Sequence, residues 1–333
     1  MSSIQRLVYA LLLVVAACAG AASTAAADSI VFLKGGDVWL TSPDGTRQYQ
    51  VTFDGGWDSP SQADDGTIVA VHGSMVVRLD RSGRVLGTPV RAVGGETSAL
   101  LSDKFKLFGP FDAEVSPDGR RVAYWGTAYN PNSTATDVYA EFRDVTVVMP
   151  VDRAEVGPDS WVTSVRTPSW IGSDHLLVAG SGLTNYSFET WEPGAGDDRL
   201  QWWFRYVHAI ESDAELSPDG RRLVAVAQTN GAASAKDTLH FFSVAGPAWT
   251  APPYPGTWLD DAPRPPAGEA RCQGVRDSEV VNPTWSPRSD AVAFEDRDGI
   301  WTVAVPDIAT SCDGMATTLL APGGSHPDWG PAD

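Results

Sequence analysis

Short runs of alternating apolar and polar residues make up most of the chain after its first segment, and long helical periodicity is missing there. Residues 30–33, 37–41 and 75–79 are examples, all rich in aliphatic side chains. Side chains of a β-strand point to opposite faces in turn, so this pattern predicts strands. Asp-Gly pairs lie between the runs and favour tight turns. The pattern therefore predicts an all-β fold.

One motif recurs along the chain and divides these strands into groups. Residues 112–119, Asp-Ala-Glu-Val-Ser-Pro-Asp-Gly, return as Asp-Ala-Glu-Leu-Ser-Pro-Asp-Gly at 213–220. Weaker copies begin at Ser59 and Asn282, and degenerate copies at Thr167 and His326. The six copies align on one shared position, which falls at residues 62, 115, 170, 216, 285 and 329. The residue at this position is aromatic or apolar in every copy except the first, which has Gln62.

Repeated groups of strands at this spacing are typical of β-propeller blades. The sixth copy is followed by no further strand, and the strands that would complete it are expected at residues 30–33, 37–41 and 49–53. We therefore predict a six-bladed β-propeller in which N- and C-terminal strands share one blade and close the ring. It forms a single domain over residues 28–333, with a Pro-rich insertion around 248–271.

The Ser-Pro-Asp-Gly motif, with two polar residues and an apolar strand after it, resembles the repeat of TolB-like six-bladed propellers. The resemblance covers essentially all of the chain after residue 27. It implies the propeller fold and a partner bound at the central channel, while propellers of this kind also serve as scaffolds and, less often, as enzymes. TolB itself has an α/β domain before its propeller, for which this chain has no room, so no role in the Tol complex is expected.

The innermost strand of each blade lines the channel of a propeller, so the aligned copies predict which side chains face it. In each copy, polar residues stand three positions and one position before the aligned residue, and a Pro or Ala stands between them. Because side chains of a strand alternate between its faces, the two polar residues should share one face and the Pro or Ala should lie on the other. We call these twelve residues the funnel, and predict a ligand site there: Ser59, Ser61, Asp112, Glu114, Thr167, Ser169, Asp213, Glu215, Asn282, Thr284, His326 and Asp328.

Five funnel residues are acidic: Asp112, Glu114, Asp213, Glu215 and Asp328. Carboxylates around a narrow channel repel one another, and a cation, water or a basic peptide would relieve that repulsion. Calcium prefers six to eight oxygen ligands, and these acids could supply several. Three hypotheses therefore remain: a channel filled only with water, a bound protein or peptide, and Ca²⁺ or another divalent cation. The fold itself needs no cofactor.

The first 27 residues predict export. Arg6 is their only charge, and the apolar run at 7–17 is too short for a stable membrane span but fits a secretion signal. Cleavage after Ala27 would release a soluble protein, secreted or periplasmic. Residues 15–18 resemble a lipobox, which would instead leave Cys18 lipidated. Neither alternative leaves a transmembrane span in the mature chain.

Cys272 and Cys312 remain as a pair after Cys18 is removed or lipidated. In an oxidising compartment this pair predicts a disulfide, and the alternative is two free thiols. A disulfide would tie the Pro-rich insertion at 248–271 to the outer part of the fifth blade. The insertion would then form a feature of the rim that contacts a partner.

Charge restricts the class of ligand. The chain has 42 acidic and 24 basic residues, a formal net charge of −18, and 43% hydrophobic residues. A balance this acidic argues against nucleic acid, whose binding depends on Lys and Arg neutralising phosphates. It favours a protein or peptide of the cell envelope, particularly a basic one, bound by a monomeric globular protein.

Catalytic motifs are scarce. The sequence has no Gly-x-Ser-x-Gly, no His-Glu-x-x-His and no phosphate-binding loop, and His326 is the one weak catalytic candidate. An aromatic cluster could form a sugar-stacking platform or pack between blades: Trp191, Trp202, Trp203, Phe204 and Tyr206. The main hypothesis is a binding scaffold. The alternatives are a carbohydrate-active lyase or glycosidase that uses the funnel, and a structural module stabilised by a cation.

Overall fold

A computed structural model describes residues 28–93, 106–130, 132, 142–157, 160–180, 187–194, 201–205, 209–229, 237–244, 272–273, 279–306 and 315–331. Within these ranges the chain forms β-strands and no helix. None of the described segments is a helix long and apolar enough to cross a membrane.

Twenty-four strands form six four-stranded antiparallel blades arranged in a ring. The first three strands of the chain belong to the sixth blade and are β1 (Ser29–Lys34), β2 (Asp37–Thr41) and β3 (Gln48–Gln50). Blade 1 consists of β4 (Trp57–Gln62), β5 (Ile68–His72), β6 (Met75–Leu79) and β7 (Val90–Arg91). Blade 2 consists of β8 (Lys106–Val115), β9 (Arg121–Tyr129), β10 (Phe142–Pro150) and β11 (Trp161–Thr163).

Blade 3 consists of β12 (Val165–Ile171), β13 (His175–Gly180), β14 (Ser187–Trp191) and β15 (Gln201–Arg205). Blade 4 consists of β16 (Ala209–Leu216), β17 (Arg222–Thr229), β18 (Asp237–Ser243) and β19 (Cys272–Gln273). Blade 5 consists of β20 (Val280–Trp285), β21 (Ala291–Asp296), β22 (Gly299–Ala304) and β23 (Thr317–Pro322). Blade 6 has β24 (Gly324–Gly330) innermost, followed outward by β1, β2 and β3.

The predicted all-β, six-bladed propeller is confirmed. Strand β1 pairs with β24, with Ile30 opposite Trp329 and Val31 opposite Asp328. Strands from the two ends of the described chain therefore share blade 6. Innermost strands of neighbouring blades contact one another around the ring, including β24 and β4.

The hydrophobic core is divided into six clusters, one between each pair of neighbouring blades. Strand β1 shows why, since Ile30, Val31 and Phe32 are all fully buried. Val31 packs toward blade 1, whereas Ile30 and Phe32 pack toward blade 5. Successive side chains of the strand thus pack against the two neighbouring blades in turn, and the inner strands of a blade are apolar on both faces.

In blades 2 and 4 the Ser-Pro-Asp-Gly motif forms the turn after the innermost strand and also links blades. In blade 2, Ser116 Oγ donates a hydrogen bond to Asp118 Oδ1 (2.6 Å), and Gly119 takes a φ of 70° that favours glycine. The second arginine after this turn, Arg121, lies 5.1 Å from the ring centre of Trp170 in blade 3. Arg222 repeats this contact with Trp285 of blade 5. The most regular motif of the sequence is therefore structural.

Several sequence predictions lie outside the described residues. These are the signal segment at 1–27 with Cys18, the Pro-rich insertion at 248–271, Cys312 and Tyr206. Cys272 is described only as backbone, in β19. The disulfide therefore stays a prediction.

Candidate functional site

The twelve funnel residues meet at the centre of the ring, where all of them line one cavity. The cavity measures about 90 Å³, well below the ~300–1,000 Å³ of typical small-molecule sites. A space of this size suits a few water molecules or the end of one side chain.

The predicted alternation breaks down in the innermost strands, because the intervening Pro and Ala residues line the same cavity. A register shift occurs within this segment in five blades, and just before it, between Glu211 and Asp213, in blade 4. Five of the six residues at the first polar position have a positive φ of 42–51°: Ser59, Asp112, Thr167, Asn282 and His326. A β-bulge of this kind turns successive side chains toward one side, so the expectation that Pro and Ala face away from the channel is wrong.

The second polar position forms an inner layer that links neighbouring blades. Five of its six side chains accept a hydrogen bond from a backbone N–H of the next innermost strand. The pairs are Ser61 with Val115 (2.8 Å), Glu114 with Trp170 (3.3 Å), Glu215 with Trp285 (3.0 Å), Thr284 with Trp329 (3.2 Å) and Asp328 with Gln62 (2.5 Å). Ser169 completes the layer, and its buried hydroxyl has no partner among the described residues. These residues stabilise the ring.

Burial changes the acidity of the inner layer. Desolvation raises the pKa of Glu114 well above its ordinary value, and the nearby charges of Glu215 and Asp328 raise it further. Desolvation also raises the pKa of Glu215, against the opposing hydrogen bond from the Trp285 N–H. The pKa of Asp328 is raised by burial to about 6. Burial therefore shifts all three acids toward their protonated forms.

The first polar position forms a mouth layer, where the innermost strands begin. Asp213 Oδ2 accepts a hydrogen bond from the Asn282 N–H (2.9 Å), and Asp112 Oδ2 accepts one from Trp125 Nε1 (2.5 Å). Burial raises the pKa of Asp213 to about 7, and the charge of Asp112 adds to the shift. The charge of Arg166, just before Thr167, partly offsets it.

Two carboxylates that the sequence analysis missed, Asp58 and Glu295, lie beside this layer. Glu295 Oε2, on β21, accepts hydrogen bonds from Asn282 Nδ2 (2.8 Å) and from the His326 N–H (2.9 Å). His326 lies between two acids, with Nδ1 3.9 Å from Glu295 and Nε2 3.9 Å from Asp58. Asp58 directly precedes Ser59 and could have been included by extending the alignment. Finding Glu295 required the pairing of β20 with β21.

Aromatic side chains stand beside Asp112. Phe111 lies 4.9 Å from Trp125 and 5.2 Å from Phe108, ring centre to ring centre, and Phe108 is 65% exposed. Of the cluster expected in blade 3, Trp191 is buried between blades 2 and 3. Trp202, Trp203 and Phe204 are described only as backbone in β15.

The described acids and histidines form no group of three or more that could hold a metal ion. The five candidate ligands accept hydrogen bonds from protein groups: four accept a backbone N–H of the next blade, and Asp112 accepts Trp125 Nε1 of its own blade. The divalent-cation hypothesis stays a prediction.

The fold is similar to that of several solved propellers. A putative TolB from Agrobacterium tumefaciens has a TM-score of 0.52 and 12% identity, and the match covers 90% of this chain and 91% of that one. TolB from Acinetobacter baumannii has a TM-score of 0.50 and 13% identity, over 91% of this chain and 66% of the other. An oligogalacturonate lyase from Vibrio parahaemolyticus has a TM-score of 0.50 and 8% identity, over 86% and 71%.

Family models and curated proteins gave no match to the sequence. The structural matches have low sequence identity and show the fold alone. The chain thus has the six-bladed propeller fold of TolB and related proteins.

Proposed function

We propose that the protein is an exported binding scaffold whose ligand is a protein or peptide segment of the cell envelope with an exposed Lys or Arg. The observation that carries this proposal is the group of carboxylates in and beside the mouth layer, Asp58, Asp112, Asp213 and Glu295. A ligand cation would relieve their repulsion and favour the ionised form of Asp213.

The size of the cavity determines how such a ligand would bind. Its volume of about 90 Å³ admits one side chain, so the ligand backbone would lie across the mouth with a basic side chain pointing inward. The exposed face of Phe108 lies beside this position and would contact an apolar neighbour of that basic residue. Export is proposed from the predicted signal segment, and a TolB-like partner-binding role is consistent with the fold.

Affinity capture from envelope extract would test the proposal, with a variant that leaves the links between blades intact. Asp58→Asn combined with Asp112→Asn removes two mouth charges while keeping acceptors for the Ser59 N–H and Trp125 Nε1. We expect wild type to retain a partner that this variant loses. A short Lys-containing peptide should bind wild type at least about tenfold more tightly, since buried charged hydrogen bonds contribute about 1.5–3 kcal/mol.

The matched control is Asp44→Asn with Asp65→Asn, which removes two exposed charges outside the funnel. This control should capture the same partner as wild type, and all three proteins should have the same melting temperature. Equal capture by wild type and the mouth variant would contradict the proposed site. Melting that falls with a chelator and recovers with Ca²⁺, without a partner, would favour the cation-stabilised module instead.

A second candidate function is a carbohydrate-active enzyme, favoured by the position of His326 between Asp58 and Glu295. A histidine flanked by carboxylates has the groups needed for general acid–base chemistry. The first substrate to test is oligogalacturonate, because a lyase for it shares the fold. Turnover that is lost in His326→Gln and kept in His175→Gln would support this candidate, and no turnover by wild type would exclude that substrate.

A further inference from the structure

A second concave site lies at the other end of the ring from the mouth layer, where the innermost strands turn outward. It is a groove of about 660 Å³, within the range of ~300–1,000 Å³ typical of ligand pockets. It lies where blades 1, 2 and 3 meet. Its walls come from β6, the Ser-Pro-Asp-Gly turn of blade 2, the segment after β10 and the turn between β12 and β13.

Four arginines line this groove together with three aspartates, Asp118, Asp152 and Asp174, so its lining has a net charge of +1 although the chain as a whole has a formal net charge of −18. Arg121 is held by Trp170 and by the Ser173 carbonyl, so its role is structural. Arg120 Nε lies 3.8 Å from Asp118 Oδ2, and Arg153 Nε lies 2.7 Å from Glu155 Oε2. Exposed ion pairs contribute little stability, so an incoming anion can compete for both arginines.

Arg78 differs from the other three. It reaches the groove from β6 and is half-buried, and its buried Nε has no hydrogen-bond partner among the described residues. None of the described carboxylates forms a salt bridge with its guanidinium. An unsatisfied buried N–H of a charged group costs free energy. The Arg78 side chain also lines the groove, where a bound anion would bring an acceptor to its guanidinium.

We propose that this groove binds a phosphate-type oxyanion, with Arg78 as the anchor and Arg120 and Arg153 as exposed partners. The three guanidiniums come from a strand, a turn and a loop, so they approach from different segments of two blades. A phosphate group presents three strong acceptor oxygens and nearly two negative charges, whereas a carboxylate presents one planar edge. The proposed site does not depend on the function of the funnel, which favours a cation.

Calorimetric titration of the full chain with inorganic phosphate, at constant ionic strength, tests this site. We expect saturable binding to wild type, weakened about tenfold or more in Arg78→Gln, since hydrogen bonds to charged groups are the strong ones. Arg91→Gln is the matched control, because it removes the same charge from β7, outside the groove. Arg153→Gln is a second test variant at an exposed position and should also weaken binding.

Vesicles of phosphatidylglycerol, compared with phosphatidylcholine, test a lipid headgroup as the source of the phosphate. Sedimentation of wild type but not of Arg78→Gln with the anionic vesicles would support the site and identify that source. Three results would overturn the proposal: no saturable binding of phosphate or vesicles by wild type, equal losses in Arg78→Gln and Arg91→Gln, or tighter binding of glucuronate than of phosphate.

Discussion

At the scale of single residues, acids that look equivalent in the repeat have different roles. Glu114, Glu215 and Asp328 accept N–H groups of the next blade and hold the ring together. Asp112 and Asp213 lie one step nearer the mouth. Asp213 nevertheless also accepts a backbone N–H of the next blade, from Asn282, whereas the hydrogen bond that Asp112 accepts from Trp125 Nε1 stays within its own blade.

Asp213 should make stability depend on pH. Its pKa is about 7 in the folded protein and 3.8 without the fold, so folding favours its protonated form. This contribution is fully present below about pH 4 and is lost as the pH rises through 7. Asp213→Asn should therefore stabilise the protein at pH 8 by up to about 4 kcal/mol, from about 1.4 kcal/mol per pKa unit, and change little at pH 4.

Urea unfolding at pH 4, 6 and 8 measures this difference. Asp65→Asn, at an exposed turn, is the control and should leave the pH dependence of wild type unchanged. A difference between Asp213→Asn and wild type that is the same at all three pH values would contradict the assigned origin of the effect.

At the scale of elements, the two arginines after the Ser-Pro-Asp-Gly turns of blades 2 and 4 have separate environments. Arg222 is half-buried against Trp285 and donates to the Ser289 carbonyl of the next blade. Arg221 is exposed, and its side chain makes no such contact with the described residues of the neighbouring blade, while its backbone N–H donates to Asp219. The turn thus positions one cation over the ring of the next blade.

We expect Arg222→Ala to destabilise the fold by about 2–4 kcal/mol, because it removes a cation–π contact and a charged hydrogen bond. Arg221→Ala should change the free energy of unfolding by less than about 0.5 kcal/mol, as for most surface substitutions. Chemical denaturation of both variants measures the difference. A similar loss of unfolding free energy in the two variants would contradict a stabilising role for the contacts of Arg222 with the next blade.

At the scale of the whole molecule, blade 6 joins strands from distant parts of the sequence, and Gln62 lies at that junction. The Ser29 hydroxyl donates to Gln62 Oε1 (2.8 Å), and Gln62 Nε2 donates to the carbonyls of Ser29 (3.1 Å) and Asp328 (3.2 Å). A polar side chain here connects β4 to both β1 and β24. This explains why the first repeat departs from the apolar residue at its aligned position.

Gln62→Ala should lower stability by about 2–4 kcal/mol, since it leaves buried polar groups without partners. Because neighbouring blades share each core cluster, we expect one cooperative transition rather than separate loss of blade 6. Gln48→Ala, exposed on the outermost strand of the same blade, is the control. Tryptophan fluorescence and circular dichroism should give the same midpoint, and distinct midpoints would contradict a single cooperative ring.

The sequence alone determined the fold class, the number of blades and the identity of the twelve funnel residues. These follow from local signals, namely the period-two pattern, the Asp-Gly turns and the six aligned copies of one motif. The blade shared by both ends followed from counting strands against a repeat. No long-range geometry was needed for these predictions.

Only the tertiary structure separated the inner layer from the mouth layer, because a hydrogen bond such as that between Glu215 and the Trp285 N–H joins residues from different blades. The bulges at Asp112 and Asn282 likewise depend on how each innermost strand pairs with its neighbour. Glu295 lies at its site because of strand pairing, and Arg78 lies at its site because neighbouring blades contact each other. Neither kind of contact leaves a repeating pattern in the sequence. Contacts between distant segments decide which polar residues are satisfied within the fold and which remain open to a ligand.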